Sequence, residues 1–424
     1  MKKILSLALV IMTVFSLCLT GCSPDKTPLD PKKPVTITMW HNYGGVMQET
    51  MDVLIDAFNA SVGKEKGIIV TVAAVSSSSE LTANLDMILD DDPAAMEMPN
   101  ISVAYPKTAV KLAEKNLLAD LSSYFTEEKC GLYVDEFVAE GKIGDALYVF
   151  PVAKSTEVLF VNQTLFDRFS AATGVKLDSL STFEGILDTS IKYYEWCGKH
   201  FFTADSWFNL FSAAMQQTGS NFVGNETLQT ENDTYKNLYA KISEAVSKGG
   251  VYIYDGYSSD LSKTGDIVCS LGSTAGIVFY GDSVTYRDNT TEKVEYTILP
   301  YPTAGSGEKI ALQRGNGMVV KKASEAEEYA SAVFLEWLTQ PEQNMKFITD
   351  TGYLPVTKEA FDSIVNGTIP EVKHVNIGKL LTTAVEMQKD YNFYIPPVYD
   401  AFDSQSKNFE KDFKSKMSAL VPKK

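Results

Sequence analysis

The amino-acid sequence predicts an α/β fold built as two lobes, and three observations support that prediction. Residues 35–117 repeat a short β-rich run followed by an amphipathic helix three times, which is typical of a mainly parallel sheet. Helical patterns dominate after residue 162, and strand-like runs return between residues 275 and 320. The roughly 400 residues that follow the N-terminal segment exceed what one hydrophobic core usually holds.

The first lobe begins with three β-α units, whose strands are predicted at residues 35–40, 68–75 and 101–105. The first helix has its apolar residues along one face, at Met47, Met51, Leu54, Ile55 and Phe58. Ser77 and Glu80 have the spacing of a capping box for the second helix. Because ligands of such sheets bind beyond the carboxyl ends of the strands, a site is expected at residues 40–45, 76–79 and 105–106.

Two further extended runs, residues 146–153 and 157–162, lead into the second lobe. Its helices are predicted at residues 165–172, 183–196, 206–217 and 235–246. Strands return at residues 275–280, 294–299 and 318–320. Ser324 and Glu327 then form a capping box for a helix that leads into the C-terminal helical segments.

The composition argues against several classes of function. The chain of 424 residues has 38 Lys and Arg against 54 Asp and Glu, a net charge of −16, with only three arginines. Such a surface is a poor match for a phosphate backbone, so nucleic acid is not expected as a partner. Five cysteines without a C-x-x-C pair and three distant histidines give no metal-ligand spacing, so neither a metal nor a cofactor is predicted.

The N-terminus has the pattern of an export signal. Lys2 and Lys3 precede an apolar run over residues 4–19, which is short for a membrane span. The run ends in LTGC at residues 19–22, which resembles the lipobox of bacterial lipoproteins. That resemblance implies a signal peptide over residues 1–21 and acylation of Cys22, including palmitate. The alternative is an uncleaved anchor with an incidental cysteine.

A proline-rich segment follows the signal. Residues 22–34 hold four prolines separated by Asp and Lys, a composition that predicts an extended, lipidated tether. Cleavage would leave 36 basic against 54 acidic residues, a net charge of −18. Cys130, Cys197 and Cys269 would remain, so at most one disulfide can form and the fold does not depend on disulfides.

Five segments, taken in order, resemble a known family. They are residues 36–45 (TITMWHNYGG), 100–121, 148–166 (YVFPVAKSTEVLFVNQTLF), 265–276 (GDIVCSLGSTAG) and 296–361, which includes TGYLPVT at 351–357. Their order and spacing resemble the extracellular solute-binding proteins of family 1, which include maltodextrin-binding and glycerol-3-phosphate-binding components of ABC importers. The resemblance implies a type II periplasmic-binding-protein-like fold, in which two α/β lobes flank a ligand cleft.

The same resemblance implies where the chain crosses between the lobes. Crossings are expected near residues 151–162, near residues 273–280 and near Lys321. The first lobe would then comprise residues 35–152 and 276–322, and the second lobe residues 153–275 and 323–424.

The function that the resemblance implies is capture of a solute by lobe closure. A solute that contacts both lobes stabilises the closed state, and closure is the signal to the permease that receives the solute. The expected partners are a small solute, ABC permease subunits with a separate ATPase, and a membrane reached only through the lipid anchor. The protein is expected to be a monomer at the outer face of the cytoplasmic membrane or in the periplasm.

Candidate ligand-binding residues at the strand ends follow from the resemblance. The end of the first strand, expected on the rim or floor of the cleft, contributes Trp40, His41, Asn42 and Tyr43, although these residues could simply cap the strand. Ser77 and Tyr105 lie at the next two strand ends. Pro106 occupies the position where glycerol-3-phosphate binders show an acidic residue, and this departure weakens the phosphoglycerol interpretation.

Further candidates lie later in the chain. Small hydroxyls that could bind the solute or satisfy crossing-strand backbone are Ser155, Ser273 and Thr274. Trp207 is expected to stack on a sugar face, and Gly315, between Arg314 and Asn316, is expected to let the backbone approach a ligand. Tyr353 offers a ring face and a hydroxyl, and Tyr399 lies where sugar-binding members supply an aromatic platform.

A carbohydrate is the expected solute, because 21 tyrosines accompany few cations suited to phosphate. The alternative is a phosphorylated polyol such as glycerol-3-phosphate, which would need Lys154, Arg314 or helix N-termini. An exported glycoside-active enzyme is a second alternative, although the chain lacks G-x-S-x-G, H-E-x-x-H and P-loop motifs. An adhesin or structural lipoprotein would bind no small molecule. We expect a binding protein and no enzymatic activity.

Overall fold

The computed structural model describes residues 27–75, 77–372, 374–397 and 399–422. The predicted signal peptide, Cys22 and the first part of the tether lie outside these residues. Leu29, within the predicted tether, is 9 % exposed and packs on the core, and Lys33 N donates to Asp30 O across a turn. The end of the segment predicted to be an extended tether is therefore folded onto the first lobe.

The described residues contain the following strands and helices. The strands are β1 (Val35–His41), β2 (Ile68–Ala74), β3 (Ile101–Ala104), β4 (Lys142–Ile143), β5 (Ala146–Leu147), β6 (Phe150–Ser155), β7 (Glu157–Asn162), β8 (Phe202–Ala204), β9 (Val223–Gly224), β10 (Thr227–Leu228), β11 (Cys269–Ser273), β12 (Ser283–Thr285), β13 (Thr291–Lys293), β14 (Tyr296–Leu299), β15 (Ile310–Leu312), β16 (Arg314–Val320) and β17 (Asn392–Tyr394). The α-helices are α1 (Val46–Ala60), α2 (Val62–Lys66), α3 (Ser78–Leu89), α4 (Pro106–Glu114), α5 (Glu127–Cys130), α6 (Asp135–Glu140), α7 (Gln163–Thr173), α8 (Phe183–Cys197), α9 (Trp207–Gln217), α10 (Asp233–Ser247), α11 (Ser258–Lys263), α12 (Glu325–Leu338), α13 (Pro341–Thr351), α14 (Lys358–Val365), α15 (Ile377–Asp390) and α16 (Phe402–Ser418). Short 3-10 helices lie at Leu121–Ser123, Leu177–Ser181 and Thr274–Phe279.

The first lobe contains a five-stranded sheet in the order β2-β1-β3-β16-β6. Strands β1, β2 and β3 are parallel, as the β-α repeats predict, and β16 runs antiparallel to both β3 and β6. Helix α1 buries Met51, Leu54 and Phe58 on its predicted face. The parallel order brings the carboxyl ends of the first three strands to one edge of the sheet.

The second lobe contains a four-stranded sheet in the order β14-β7-β11-β8. Strand β7 lies between β11 and β14 and is antiparallel to both. Aromatic side chains fill the packing between α9, α10 and α16, where Phe211 contacts Tyr235 at a centroid distance of 4.8 Å and Phe409 and Phe413 at 5.6–5.7 Å. Helix α16 therefore belongs to the second lobe.

Two neighbouring strand pairs carry the chain between the lobes. Only Thr156 separates β6, in the first sheet, from β7, in the second, and both strands lie within or next to residues 151–162, where a crossing was predicted. The return passes from β15 through Gln313 into β16. Thr156 Oγ1 donates to Leu312 O at 2.8 Å, and Arg314 is paired with Ser155 in the ladder, which holds the two crossings side by side.

The predicted lobe boundaries are wrong in two places. Strand β14, placed in the first lobe by the prediction, pairs with β7 of the second sheet, so the chain does not cross near residues 273–280. The return crossing lies at Gln313 and not near Lys321, and α12 packs on β1, β16 and β6 of the first lobe. The C-terminal passage follows α14, since α15 contacts β14 and Thr383 Oγ1 donates to Ile298 O.

Candidate functional site

The three predicted strand ends of the first lobe meet at one serine. Asn42 Nδ2 donates to Ser78 Oγ at 2.6 Å, and Tyr105 Oη donates to the same oxygen at 3.0 Å. The predicted residue Ser77 has a different task, because its hydroxyl accepts from Glu80 N at 3.1 Å and caps α3. Asn42 and Tyr105 thus line this edge, while Ser78 replaces Ser77 as its polar centre.

Tyr43 and Tyr353 form an aromatic wall on the first lobe. Their rings meet edge to face at a centroid distance of 6.2 Å, and Phe347 stacks on Tyr353 at 5.7 Å. His41 stacks on the other side of Tyr43 at 5.0 Å. Tyr43 Oη donates to Asn316 Oδ1 at 3.4 Å, which links the end of β1 to β16. Four of the predicted residues are therefore brought together over 300 positions of sequence.

The phenols and the imidazole of this wall are neutral near pH 7. Burial raises the pKa of Tyr43 well above its ordinary value, and Tyr353 and Tyr105 add to the effect. Burial likewise raises the pKa of Tyr353, with an opposing contribution from Arg314. The pKa of His41 is lowered, chiefly by burial, so its ring is uncharged. Tyr43 and His41 are 3 % and 0 % exposed, so the partly buried Tyr353 is the member of this wall that offers a ring face and a neutral hydroxyl to a ligand.

A charged group faces this wall from the crossing strands. Arg314 Nη1 donates to Glu157 Oε1 at 2.6 Å, and Asn209 Nδ2 of α9 donates to the same carboxylate oxygen at 2.7 Å. The Glu157 side chain is 3 % exposed, whereas the Arg314 side chain is 38 % exposed. Arg314 therefore presents N–H donors at the lobe junction while its charge is balanced by a buried partner.

Burial raises the pKa of Glu157, and the Arg314 charge and the Asn209 hydrogen bond oppose that rise. Asp205 lies close enough to act electrostatically on Glu157, and burial raises the pKa of Asp205 as well, against hydrogen bonds from Ser258. One arginine thus faces two carboxyl groups. The local charge does not favour an incoming anion.

The two predicted tryptophans lie in the core. Trp207 has no exposed surface and packs against Phe413 and Phe202, so the prediction that it stacks on a sugar is wrong. The residue of α9 that reaches the site is Asn209, two positions later. Trp40 is 6 % exposed and belongs to the core of the first lobe, so it presents no open ring face.

Gly315 and the hydroxyl candidates serve the crossing strands. Gly315 has φ +98°, and an added Cβ would lie 2.2 Å from Ala153 O, so the close approach is to β6 and not to a ligand. Ser155 is buried at the end of β6. Thr274 N donates to Thr156 O at 2.9 Å, which ties Ser273 and Thr274 to the crossing. This tie is made by the main chain, because the buried Thr274 hydroxyl has no hydrogen-bond partner among the described residues.

The two cations considered for phosphate are both paired. Lys154 is 4 % exposed and its Nζ lies 2.5 Å from Glu140 Oε2, beneath the crossing strands. Arg314 is held by Glu157, as described above. Neither cation could therefore bind a phosphate dianion without competing with its carboxylate partner.

Tyr399 lies at a contact between the lobes. Its hydroxyl donates to Gln405 at 2.8 Å, and its ring meets Phe402 edge to face. Beside it, Lys107 of α4 donates to Asp400 O at 2.7 Å and pairs with Asp403 at 3.2 Å, and Lys111 pairs with Asp400 at 3.3 Å. We call these pairs the α4–α16 contact. It joins the first lobe to the second.

Sequence reasoning missed Glu157 and Asn209, and within the expected segment 76–79 it named Ser77 instead of Ser78. Glu157 lies inside the quoted crossing run, and a charged residue at the start of an otherwise apolar strand was a usable signal. Asn209 is the one polar residue in the first five positions of α9, and that too was visible.

Two features of the described residues bear on other kinds of site. Within residues 27–422, apart from the positions not described, no three His, Cys, Asp or Glu side chains are grouped as for a metal ion, and no helix has the length and apolar character of a membrane span. Cys130, Cys197 and Cys269 are free thiols.

Comparison with known proteins supports the architecture. The sn-glycerol-3-phosphate-binding periplasmic protein of Shigella flexneri is 21 % identical over 367 residues, covering 77 % of this chain and 75 % of that protein. An ABC substrate-binding protein of Listeria monocytogenes, solved in complex with cycloalternan, superposes with a TM-score of 0.72 at 17 % identity, over 92 % and 95 % of the two chains. A Mycobacterium tuberculosis protein solved with glycerophosphocholine gives 0.68 at 15 %, over 91 % and 98 %.

These likenesses confirm the predicted type II binding-protein fold with two α/β lobes. The family described as bacterial extracellular solute-binding protein matches residues 54–373, about three quarters of the chain. Its description names binding of a solute, which agrees with the binding protein that the sequence predicts. The chain belongs to the bacterial extracellular solute-binding proteins.

Proposed function

We propose that this chain is the substrate-binding lipoprotein of an ABC importer, which captures a carbohydrate-type solute between its lobes and delivers it to a membrane permease. The observation that carries the proposal is the juxtaposition of two unlike walls. On the first lobe Tyr353 packs on Tyr43, which is bonded to Asn316. Arg314 acts electrostatically on Tyr353 and is paired with Glu157, which Asn209 of the second lobe also binds.

This chemistry is suited to a sugar. Ring faces stack on the apolar faces of pyranoses, and amides, phenols and a paired carboxylate exchange hydrogen bonds with hydroxyls. A micromolar Kd corresponds to about −8 kcal/mol, which a few such contacts can supply. Because each lobe contributes contacts, a bound solute would stabilise the closed arrangement over the open one.

Two observations favour a neutral sugar over the phosphorylated-polyol alternative. Arg314 and Lys154, the cations considered for phosphate, are each paired with a carboxylate, of Glu157 and Glu140 respectively. Asp205 adds a second acidic group near Arg314. One relative is named for binding glycerol-3-phosphate, and one similar structure was solved with glycerophosphocholine. Phosphorylated compounds are therefore included in the experiment.

A thermal-shift screen tests the solute class. The full chain, purified in a non-glycosidic detergent so that no alkyl sugar competes, is melted with neutral oligosaccharides, sugar phosphates, glycerol-3-phosphate and glycerophosphodiesters. A bound solute at a hundred times its Kd should add about 2.7 kcal/mol of stability. Shifts confined to phosphorylated compounds would establish the polyol alternative, and chromatography of the recovered solute would expose any turnover.

The membrane attachment forms the second part of the proposal. We infer that residues 1–21 are removed and that Cys22 carries the acyl chains, which places a monomeric body at the outer face of the cytoplasmic membrane or in the periplasm, next to permease subunits with a separate ATPase. Two acyl chains suffice for stable anchoring, whereas one is marginal. In cells fed labelled palmitate, Cys22→Ser should abolish incorporation, while Cys18→Ser, four residues earlier, should retain it. Equal labelling of both variants would contradict the assignment.

A further inference from the structure

The second lobe contains a cavity that shares no residue with the site between the lobes. Its volume is about 620 Å³, within the range of small-molecule sites. Its walls come from five separate parts of the lobe: α7, the C-terminal end of α8 with the residues that follow it, the segment before α11, the segment after α11, and the hairpin formed by β12 and β13.

One wall of the cavity is aromatic and rigidly held. Trp196, at the end of α8, is 42 % exposed, yet its indole packs on Phe169 and Tyr193 at centroid distances of 5.7 Å. Tyr252 stacks on His200 at 4.6 Å and with nearly parallel planes. Since neighbours fix these rings, a ligand would lose little side-chain entropy by stacking on them.

The opposite wall is made of ion pairs. Arg168 binds Glu292 through both of its terminal nitrogens, and Tyr286 Oη donates to the same carboxylate at 2.7 Å. Arg287 pairs with Asp266 at 3.2 Å. A guanidinium has five N–H donors, so Arg168 keeps donors beyond the two that Glu292 uses.

The charges of the wall balance. The lining contains three cationic side chains, of Arg168, Arg287 and Lys199, and three acidic ones, of Asp266, Asp288 and Glu292. Lys199 also lies 5.2 Å from the centre of the Tyr286 ring. A phosphate or carboxylate ligand at either arginine would compete with the carboxylate already paired to it, whereas a hydroxylated neutral ligand could bridge the pairs.

We propose that this cavity is a second carbohydrate site, which takes a neutral glycan unit by stacking on Trp196 and Tyr252 and by hydrogen bonding to the Arg168–Glu292 and Arg287–Asp266 pairs. The proposal does not depend on the function proposed for the site between the lobes. It would allow the protein to hold a sugar chain on its second lobe while the cleft holds the transported solute.

Two intrinsic reporters make the site measurable. Of the four tryptophans, Trp40, Trp207 and Trp337 are at most 8 % exposed, so quenching by acrylamide reports mainly on Trp196. Cys197 is the exposed thiol among the three described cysteines and also lines the cavity. A ligand in the cavity should shield both the indole and the thiol.

The experiment compares matched tyrosine deletions in the full chain, in a non-glycosidic detergent, with neutral oligosaccharides of increasing length as probes. In wild type and in Tyr353→Ala, the sugar should reduce quenching of Trp196 and slow maleimide alkylation of Cys197 by about threefold or more. In Tyr252→Ala, half-maximal protection should need about threefold to tenfold more sugar, the size of a lost stacking contact. Arg168→Gln, which leaves the aromatic wall intact, should weaken protection as well.

Wild-type protein whose indole and thiol stay fully accessible at millimolar sugar would overturn the proposal. Protection that disappears in Tyr353→Ala but survives in Tyr252→Ala would also overturn it, because the signal would then come from the site between the lobes. Unchanged melting of Tyr252→Ala and Arg168→Gln without sugar establishes that both variants are folded.

Discussion

Arg314 of β16 and Glu157 of β7 form an ion pair of 2.6 Å between the two strands that connect the lobes. The carboxylate is buried and the guanidinium is partly exposed, so Glu157 lies in the protein interior and Arg314 borders the candidate site. Asn209 holds the carboxylate from the second lobe. The charge that a ligand meets at the lobe junction is therefore set by Glu157.

Replacing Glu157 should change the preference between neutral and phosphorylated ligands. Glu157→Gln keeps an oxygen for Asn209 and Arg314 but removes the carboxylate charge paired with the guanidinium and leaves Asp205 as the nearby acidic group, so affinity for sugar phosphates or glycerol-3-phosphate should rise relative to neutral sugars. Calorimetric titration of both ligand types against both proteins measures the change. An equal change in both affinities would contradict the role given to the carboxylate.

Glu157 also predicts a pH dependence of stability. Because burial raises its pKa in the folded state, the group binds its proton more tightly folded than unfolded. Its contribution to stability is therefore complete below the ordinary glutamate pKa of about 4.3 and is lost as the pH rises through the folded value. Relative to Glu157→Gln, wild type should lose melting temperature between that pH and neutrality. A constant difference between the two melting curves would contradict the raised pKa.

Two aromatic substitutions should separate binding from folding. Tyr353→Ala removes a ring face and a hydroxyl from the site and should weaken solute binding by at least about 1 kcal/mol. Its melting curve without solute should remain cooperative, as for a folded protein. Trp207→Ala should instead destabilise the fold by about 3 to 5 kcal/mol, because a fully buried side chain is lost. Asn209→Ala is the matched test of the same helix, and should weaken binding without such destabilisation. Chemical denaturation and calorimetry on each variant distinguish the outcomes.

The α4–α16 contact predicts that ligand affinity depends on salt. Exposed pairs contribute about 0.2 to 1 kcal/mol each and are screened by ions. Lys107→Glu should weaken solute binding by up to about fivefold at low salt and by less at 0.5 M NaCl. The exchanged pair, Lys107→Asp with Asp403→Lys, should recover part of the loss. Identical salt dependence in wild type and Lys107→Glu would show that the contact does not influence closure.

Gly315 and Gly144 allow a test of the crossing strands. Both have positive φ, but an added Cβ at Gly315 would meet Ala153 O at 2.2 Å, while none of the described atoms lies within 4 Å of the corresponding position at Gly144. Gly315→Ala should therefore destabilise the chain by clearly more than the roughly 1 kcal/mol expected for Gly144→Ala. Urea unfolding of the two variants gives the comparison, and equal losses would mean that β6 can move away.

The local parts of the structure were predictable and the non-local parts were not. The β-α units and the capping box of Ser324 and Glu327 depend on neighbouring residues, and the structure has them as expected. The lobe boundaries depend on which strands pair, and β16 pairs with β3 and β6 from more than 150 positions away. Sequence patterns carry little information on such pairing.

The same distinction between local and non-local information applies to the candidate site. Tyr43, Tyr105, Asn316 and Tyr353 were identified from motifs that the family shares. Trp207 was assigned to the wrong side of α9, because that helix is apolar around most of its circumference and its buried face cannot be read from periodicity. Glu157 was missed because a carboxylate beside an arginine only becomes informative once both are known to lie at the lobe junction.

The paired crossings at Thr156 and Gln313 also restrict how the two halves can travel. A single connecting strand would let one half swivel freely, but two hydrogen-bonded ribbons side by side resist twisting and yield most easily to bending across their common plane. Opening should then be a hinge rotation about one axis that runs through both crossings. The solute would enter and leave by the same rotation of the lobes. Each time the closed protein meets a partner, its two lobes would have nearly the same relative orientation.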